Sequence, residues 1–275
     1  MAINKNSTAF TFGFAIIMVI VVGAVLAFLS VSLKPAQEKN AADKKMMNIL
    51  GAVLIETTRD NAQAEFSKYV TERVSIDFEG KVIETRTEAL KAKSEDPNDP
   101  FYIDSQKLYK NFIKKAVNSN KEQSAYESAM KELSSNPKSN VQYSAFKVEK
   151  DGATYWVVPM VGTGLWGPIW GYVSLEGDYK TVYGATFDHK GETPGLGAEI
   201  KESFFTDQFG GKELDLNDPK STYFTVQKAG AGASSSSVDG ITGGTITSKG
   251  VEEMMNRTFD IYLDYFTNSP KTSNL

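Results

Sequence analysis

Hydrophobic positions along this chain fall into three textures. From Asn6 to Leu33 no position carries a charge, and Phe10 to Leu33 is dense in Ile, Val, Leu and Phe. That run exceeds the ~20 apolar residues a membrane-spanning helix needs and lacks a small-residue cleavage site, so it predicts a permanent single-pass anchor over residues 10–33 after a short tail, 1–9. Gly23, Ala24 and Ala27 leave room for a second helix to approach within a membrane complex. From Ala41 to Glu56 the apolar residues Met46, Met47, Ile49, Leu50, Val53 and Leu54 make a helical stripe, and Ala62 to Arg73 continues as a polar helix. Val74 to Thr87 reads as two strand-like pieces about a Glu79-Gly80 turn. Ala92 to Asn140 opens with a Pro/Asp/Asn loop and then carries helical patches near 108–117 and 126–133; it predicts an inserted, solvated helical region.

The third texture starts at Val141. Short β-type runs cover Ala145–Val148, Thr154–Val161, Gly171–Leu175 and Thr181–Asp188, with turns at Asp151-Gly152 and Glu176-Gly177, the pattern of antiparallel hairpins. Between the second and third runs, Gly162 to Trp170 sets Trp166 and Trp170 among glycines and a proline, a rigid loop with aromatic surface to offer. Phe204, Phe205 and Phe209 predict a packed amphipathic piece, Glu213–Asp218 a polar loop, Tyr223–Gln227 a strand, and Gly230–Ser237 a linker-like stretch. From Val251 the residues Val251, Met254, Met255, Phe259, Tyr262, Leu263 and Phe266 mark one helical face; residues 268–275 read as a tail. The fold class expected is α+β: the anchor, a helical and insert region (34–140) packed on the domain, and a domain over 141–267 with an antiparallel sheet flanked by helices.

Composition narrows the chemistry. The 275 residues carry a formal net charge of -4, a single histidine and no cysteine. The mild acidity argues against a nucleic-acid surface. Without cysteine there is no disulfide, thiolate metal site or Cys nucleophile, and one histidine cannot build a His-rich metal site. No Gly-x-Ser-x-Gly elbow accompanies His189, so an anchored hydrolase has no support. No metal ligand set and no catalytic residue is predicted. Redox chemistry would have to come from an organic cofactor or from a partner subunit.

One stretch offers a place for such a cofactor. Asp239-Gly240-Ile241-Thr242-Gly243-Gly244-Thr245-Ile246-Thr247-Ser248-Lys249-Gly250 leads into the last helix, with Thr247 or Ser248 available as cap and Glu252 and Glu253 in its first turn. A Gly-rich turn at a helix N-terminus presents N–H groups to a phosphate. From residues alone, a phosphate cradle and a plain Gly/Ser/Thr loop on an anchored binding or scaffold module both stand. The segment lacks the spacing of a P-loop or a dinucleotide fingerprint. A second glycine-rich loop, His189-Lys190-Gly191-Glu192-Thr193-Pro194-Gly195-Leu196-Gly197, follows the fourth β run, with His189 expected to order the loop.

The order Asp239, Thr242, Gly243, Thr245 resembles the flavinylation motif of the FMN-binding domain family, with Gly244 where the family usually has alanine. Glu192-Thr193-Pro194-Gly195-Leu196-Gly197 resembles the family's second signature. The resemblance implies that Thr245 carries FMN covalently through a phosphoester. It further implies that Asp239, Gly240, Thr242, Gly243 and Gly244 form the attachment segment and that Glu192, Thr193, Gly195, Leu196, Gly197 and Trp166 lie beside the ring. With one membrane span in front, the pattern is similar to anchored members serving sodium-translocating NADH:quinone oxidoreductases; the related G-type subunits of Rnf ferredoxin:NAD oxidoreductases are the alternative. Implied partners are other subunits of a membrane redox complex, membrane lipid, and a flavin transferase for maturation. Lys34, Lys39, Lys44 and Lys45 after the span favour a cytoplasmic domain by charge; the resemblance implies an inner (cell) membrane protein with its domain on the periplasmic, outer face, and that expectation is adopted.

Overall fold

The computed structural model describes residues 8–120, 123–217 and 222–268. Of the expected tails, 1–9 and 268–275, residues 1–7 and 269–275 lie outside the described residues, as does the end of the polar loop at Asp218, while Thr8, Ala9 and Asn268 are helical. The chain divides into two units, Met1–Lys45 and Met46–Leu275.

The first unit is helical. A single helix, α1, runs Thr8–Ala52 with Pro35 inside it. Two separate helical stretches, 10–33 and 41–56, were expected, and the residues between them are helical as well. Ala36, Gln37, Glu38 and Lys39 favour helix, and Lys34–Glu38 and Lys39–Asp43 are paired at i,i+4. The apolar part is long and hydrophobic enough to cross a membrane, and none of its most hydrophobic window is buried.

The second unit is built on one six-stranded antiparallel sheet in the order β2-β1-β3-β4-β5-β6. Its strands are β1 (Val70–Ile76), β2 (Val82–Arg86), β3 (Tyr143–Lys150), β4 (Ala153–Thr163), β5 (Pro168–Leu175) and β6 (Val182–His189). Strands β1 and β3 pair across the whole insert, with Val74 opposite Ala145 and Ile76 opposite Tyr143. The strands before and after the insert therefore make one sheet and one core. The polar helix expected over 62–73 ends at Tyr69 as α2 (Ala62–Tyr69), and residues 70–73 are strand. Pairing with β3 overrides the local helical pattern there.

Period-2 alternation sorts side chains to the two faces. One face carries Val74, Ala145, Val158, Val173 and Phe187, and the C-terminal helix α7 (Thr245–Asn268) covers it with Val251, Met254, Met255, Phe259 and Tyr262, all buried. The Tyr262 hydroxyl donates to the Ser144 carbonyl at 2.6 Å. The other face carries Phe146, Val157 and Ser174. On it sit the Phe66–Phe101–Phe146 ring cluster and the last turns of α1, where Ile49, Leu50 and Val53 are buried. The Ser174 hydroxyl donates to the Ala52 carbonyl at 2.5 Å, the Thr186 hydroxyl to the Asn48 carbonyl at 3.1 Å and the Lys150 ammonium to the Val53 carbonyl at 3.1 Å. The Ala52 carbonyl is the last of the helix, with no further turn to bond it, and Val53 follows directly after.

The insert is helical but not merely solvated. It comprises α3 (Ser105–Leu108), a π-helical turn (Tyr109–Ile113), α4 (Lys114–Ser119) and α5 (Gln123–Ser135). Tyr109, Ile113, Ala116, Tyr126 and Met130 enter the core shared with α7 and the sheet. Charged residues on the outer faces conceal that stripe in the sequence. Phe204, expected to pack with its neighbours, is 59% exposed, whereas Phe205 and Phe209 are fully buried. Past α6 (Ser203–Thr206), β7 (Thr225–Gln227) and β8 (Ser237–Asp239) form a short parallel pair. Helix α7 completes this pair's edge: Glu252 accepts from the Val226 amide at 2.7 Å, and Asn256 bonds both backbone groups of Phe224 at 2.9 Å.

The insert's entry loop is held by one ion pair. Arg73 and Asp99 are each 2% exposed; Nε and Nη2 of Arg73 donate to the Asp99 carboxylate at 2.8–3.0 Å, and Nη2 also donates to the Glu88 carbonyl. Removing one partner of such a pair strands a buried charge. Asp99→Ala should lower stability by about 3–5 kcal/mol, read as a shift of the denaturant midpoint of the detergent-solubilised chain. Arg73→Met/Asp99→Leu should recover most of that loss.

Candidate functional site

Three pieces meet at one end of the sheet. The first is the tight turn between β4 and β5. Gly162, Thr163 and residues 168–170 belong to strands, so the loop expected over 162–170 shrinks to residues 164–167, closed by the Gly164 amide donating to the Gly167 carbonyl at 2.8 Å. The side chains of Leu165 and Trp166 are 52% and 68% exposed. Trp170 is on β5 and packs against the core. The second piece is the Glu192–Gly197 loop after β6. The third is the segment Asp239–Thr247 at the start of α7.

Glu192 joins all three. Its carboxylate is 4% exposed; Oε1 accepts from the Trp166 amide at 2.8 Å and Oε2 accepts from the Thr247 hydroxyl at 2.6 Å. Its own amide donates to His189 Nδ1 at 3.1 Å. His189 thus orders the loop, as expected, and its buried Nε2 finds no partner among the described residues. The loop is tightened further by Leu196 and Ala198 amides on the Thr193 carbonyl and by the Gly195 amide on Glu199 Oε1 at 2.7 Å. Gly195 turns the chain at φ +76°, a left-handed conformation that glycine adopts without a Cβ clash.

Close packing sets the loop against the segment that leads into α7. A Cβ on Gly197 would lie 2.4 Å from Glu192 Oε2 and 2.5 Å from Thr247 Oγ1, and one on Gly243 would lie 2.6 Å from Leu196 Cδ2. Gly244 sits beside the Gly197 amide and over Ile241, whose Cβ would be 2.9 Å from an added methyl. That contact gives the glycine in place of the family's alanine a physical basis in this chain. Behind the site, Gly250 meets the Thr163 carbonyl and Gly162 meets Met254, again with no space for a side chain.

The helix begins earlier than its sequence suggested. Thr245 is already its first residue, and the first main-chain bond runs from the Ser248 amide to the Gly244 carbonyl at 2.9 Å. Thr247 and Ser248 therefore do not cap it: Thr247 serves Glu192, and Ser248 Oγ accepts from the Ile241 amide at 2.9 Å. Glu252 and Glu253 lie beyond the first turn, which holds no acid. The amides of Thr245, Ile246 and Thr247 precede the first intrahelical bond and are the ones a helix N-terminus offers to an anion.

The remaining predicted residues have distinct places. Thr245 and Thr242 are exposed, as are Thr193, Gly195 and Leu196. Gly240 donates its amide to the Gln227 carbonyl at 2.9 Å, and its missing Cβ lets that carbonyl approach. Asp239 ends β8. Its main chain is held by the Gln208 amide group, and its carboxylate accepts from the Gly232 amide at 3.2 Å, so it orders the Gly/Ser stretch before the motif. Sequence reasoning missed the role of Thr247, because the helix start was placed too late, and the role of Gly164, which approaches Glu192 closely.

A flavin mononucleotide fits these residues. An exposed threonine hydroxyl at a helix N-terminus suits a phosphate, and exposed Trp166, Leu196, Leu165 and Ile246 suit a flat apolar ring. The class follows from fold and site together. Residues 164–260 match the FMN-binding domain family, spanning all three pieces of the site. The whole chain has relatives at that level too. It is 28% identical to the C subunit of the Na(+)-translocating NADH-quinone reductase of Haemophilus ducreyi, covering 93% of this chain and 91% of the relative. The C subunit of Vibrio anguillarum is 29% identical over 96% and 93%. The crystal structure of the C subunit from Parabacteroides distasonis superposes with a TM-score of 0.65 at 29% identity, covering 86% of this chain and 98% of that one. The NqrC structure of Shewanella oneidensis, 24% identical with a TM-score of 0.58, has the same fold.

Gly197→Ala should force the Glu192–Thr247 bond apart and cost about 1–3 kcal/mol, whereas Trp166→Ala, which truncates an exposed side chain, should stay within about 0.5 kcal/mol. Denaturant midpoints of the two variants, taken side by side, check both values.

Proposed function

We propose that this chain is a membrane-anchored electron-relay subunit of a sodium-translocating NADH:quinone reductase, carrying FMN on Thr245 through a phosphoester. The observation that carries this reading is the position of Thr245. Its hydroxyl is exposed at the first residue of α7, beside the Glu192–Gly197 loop that Glu192 and the glycine contacts hold in place. The relatives described above, which match along more than nine tenths of the chain and are named as the C subunit of this reductase, favour this complex over the Rnf alternative.

Attachment requires a flavin transferase acting on FAD. The Thr245 oxygen forms a bond to the FMN-side phosphorus, the pyrophosphate bond breaks, AMP leaves, and the hydroxyl proton passes to the medium. Once bound, the flavin supplies reversible electron acceptance and donation. The chain's own residues do the rest. The amides of Thr245, Ile246 and Thr247 would hold the phosphate, whose charge the helix dipole favours. Trp166 and Leu196 would give the ring an apolar surface, and the exposed Thr193 hydroxyl would bond its polar edge. Asp239 holds the approach to the motif through Gly232. Helix α1 anchors the chain in the membrane, with the domain on the periplasmic side, where a covalent bond prevents loss of a scarce cofactor. No residue acts as a general acid or base.

Intact and tryptic mass of protein from native membranes should show one FMN phosphate on Thr245. Thr245→Ala should abolish it with an unchanged denaturant midpoint; flavin retained by that variant overturns the assignment and points to Thr242. Gly195→Val, which strains a left-handed turn, should leave attachment intact but move the flavin absorbance. An unmoved spectrum removes the loop from the ring.

A further inference from the structure

Glu192 is buried, yet among the described residues no lysine or arginine pairs with it. Lys249 pairs with Glu252 at 2.7 Å and Lys201 with Glu202 at 3.9 Å, and Lys190, two positions before Glu192 in the chain, is exposed. Its two oxygens accept from one main-chain amide and one hydroxyl, both neutral. A structural strut between two loops needs only hydrogen bonds, which an amide side chain would supply without burying a charge. A carboxylate at this junction, unlike an amide, can carry a negative charge within the wall of the site, out of water and weakly screened.

We propose that Glu192 is a positioning residue that acts on the flavin through its charge and holds the flavin's reduction potential low. This inference rests on FMN being attached at Thr245. Reduction adds electron density to the ring, and a nearby anion opposes that gain, so electrons leave toward the next carrier more readily. At a separation on the order of 10 Å and an intermediate effective dielectric, one charge changes such an equilibrium by about an order of magnitude. The Trp166 amide and the Thr247 hydroxyl hold the carboxylate in a single place, so its effect is constant.

The test is a redox titration of the purified, flavinylated full-length chain. Glu192→Gln keeps shape and hydrogen bonding, since its carbonyl can accept from Trp166 and its amide can donate to Thr247 Oγ. Flavin should remain attached by mass, and the constant for reduction should rise about tenfold per electron, 59 mV in a one-electron couple, at low and high salt alike. Glu202→Gln, an exposed carboxylate, should shift it far less, and salt should erase that shift. Thr247→Val leaves the charge but removes one donor, and should move the potential the opposite way. An unchanged potential in flavinylated Glu192→Gln overturns the inference and leaves Glu192 a strut. If Glu192→Gln fails to fold or to take flavin, Thr247→Val decides: a shift upward, or none, overturns it. A wild-type chain without flavin fails the proposed function itself and takes this inference with it, an outcome distinct from a modified wild type with an unshifted variant.

Discussion

The whole site depends on how closely α7 lies against the end of β4. At Gly250 and Gly162 the helix and strand backbones come within the space a methyl group would need. That approach allows the first turn of the helix to reach the 164–167 turn, so that Thr247 and the Trp166 amide can share one carboxylate. With larger residues at these two positions, the helix would stand off the sheet and Glu192 would have to span a gap. The same helix reaches the opposite edge of the sheet, where Gly80, at φ +72°, accepts the backbone of Tyr265 and Asp264. Glycines at both ends and apolar side chains between them fix the helix along its length.

Packing of this kind explains why the insert matters to a site it does not touch directly. The Tyr109 hydroxyl is 3.1 Å from Thr163 Oγ1, and the Arg257 guanidinium lies 5.1 Å from the centre of the Tyr109 ring. Arg257 also donates to the Val161 carbonyl at 2.6 Å and pairs with Glu253. Burial pushes the Tyr126 hydroxyl up to about 12, in keeping with its place inside the core rather than on a solvated face. A π-helical turn at Tyr109–Ile113 supplies the local departure from α geometry that such a fit involves. The insert is therefore a wall of the core that backs the last residues of β4.

Much of this was legible in the chain itself. The long apolar helix follows from an uninterrupted uncharged run, and the four hairpin strands and the face of α7 follow from periodicity, because burial on one side imposes it. The two glycine-rich loops were visible as motifs. Local pattern failed where long-range pairing won: residues 70–73 read as helix but extend because β3 lies beside them. It failed again at α7, where glycines and hydroxyls looked like a loop up to Gly250. Helical geometry starts at Thr245 because Ser248 and Thr247 find partners in the fold that compensate for weak propensity.

The sequence by itself determined the apolar span, the strand and helix stripes, the absence of cysteine chemistry and the identity of the threonine that ends the motif. Each of these is a property of residue type and spacing along one stretch of chain. Tertiary structure alone decided that Trp166, Glu192 and Thr247, up to 81 positions apart by their numbers, share one carboxylate. It also decided that an acidic residue in a motif became a buried carboxylate with no ion pair among the described residues. Those outcomes depend on which elements a closed core brings to the same end of a sheet, and no local pattern encodes that distance.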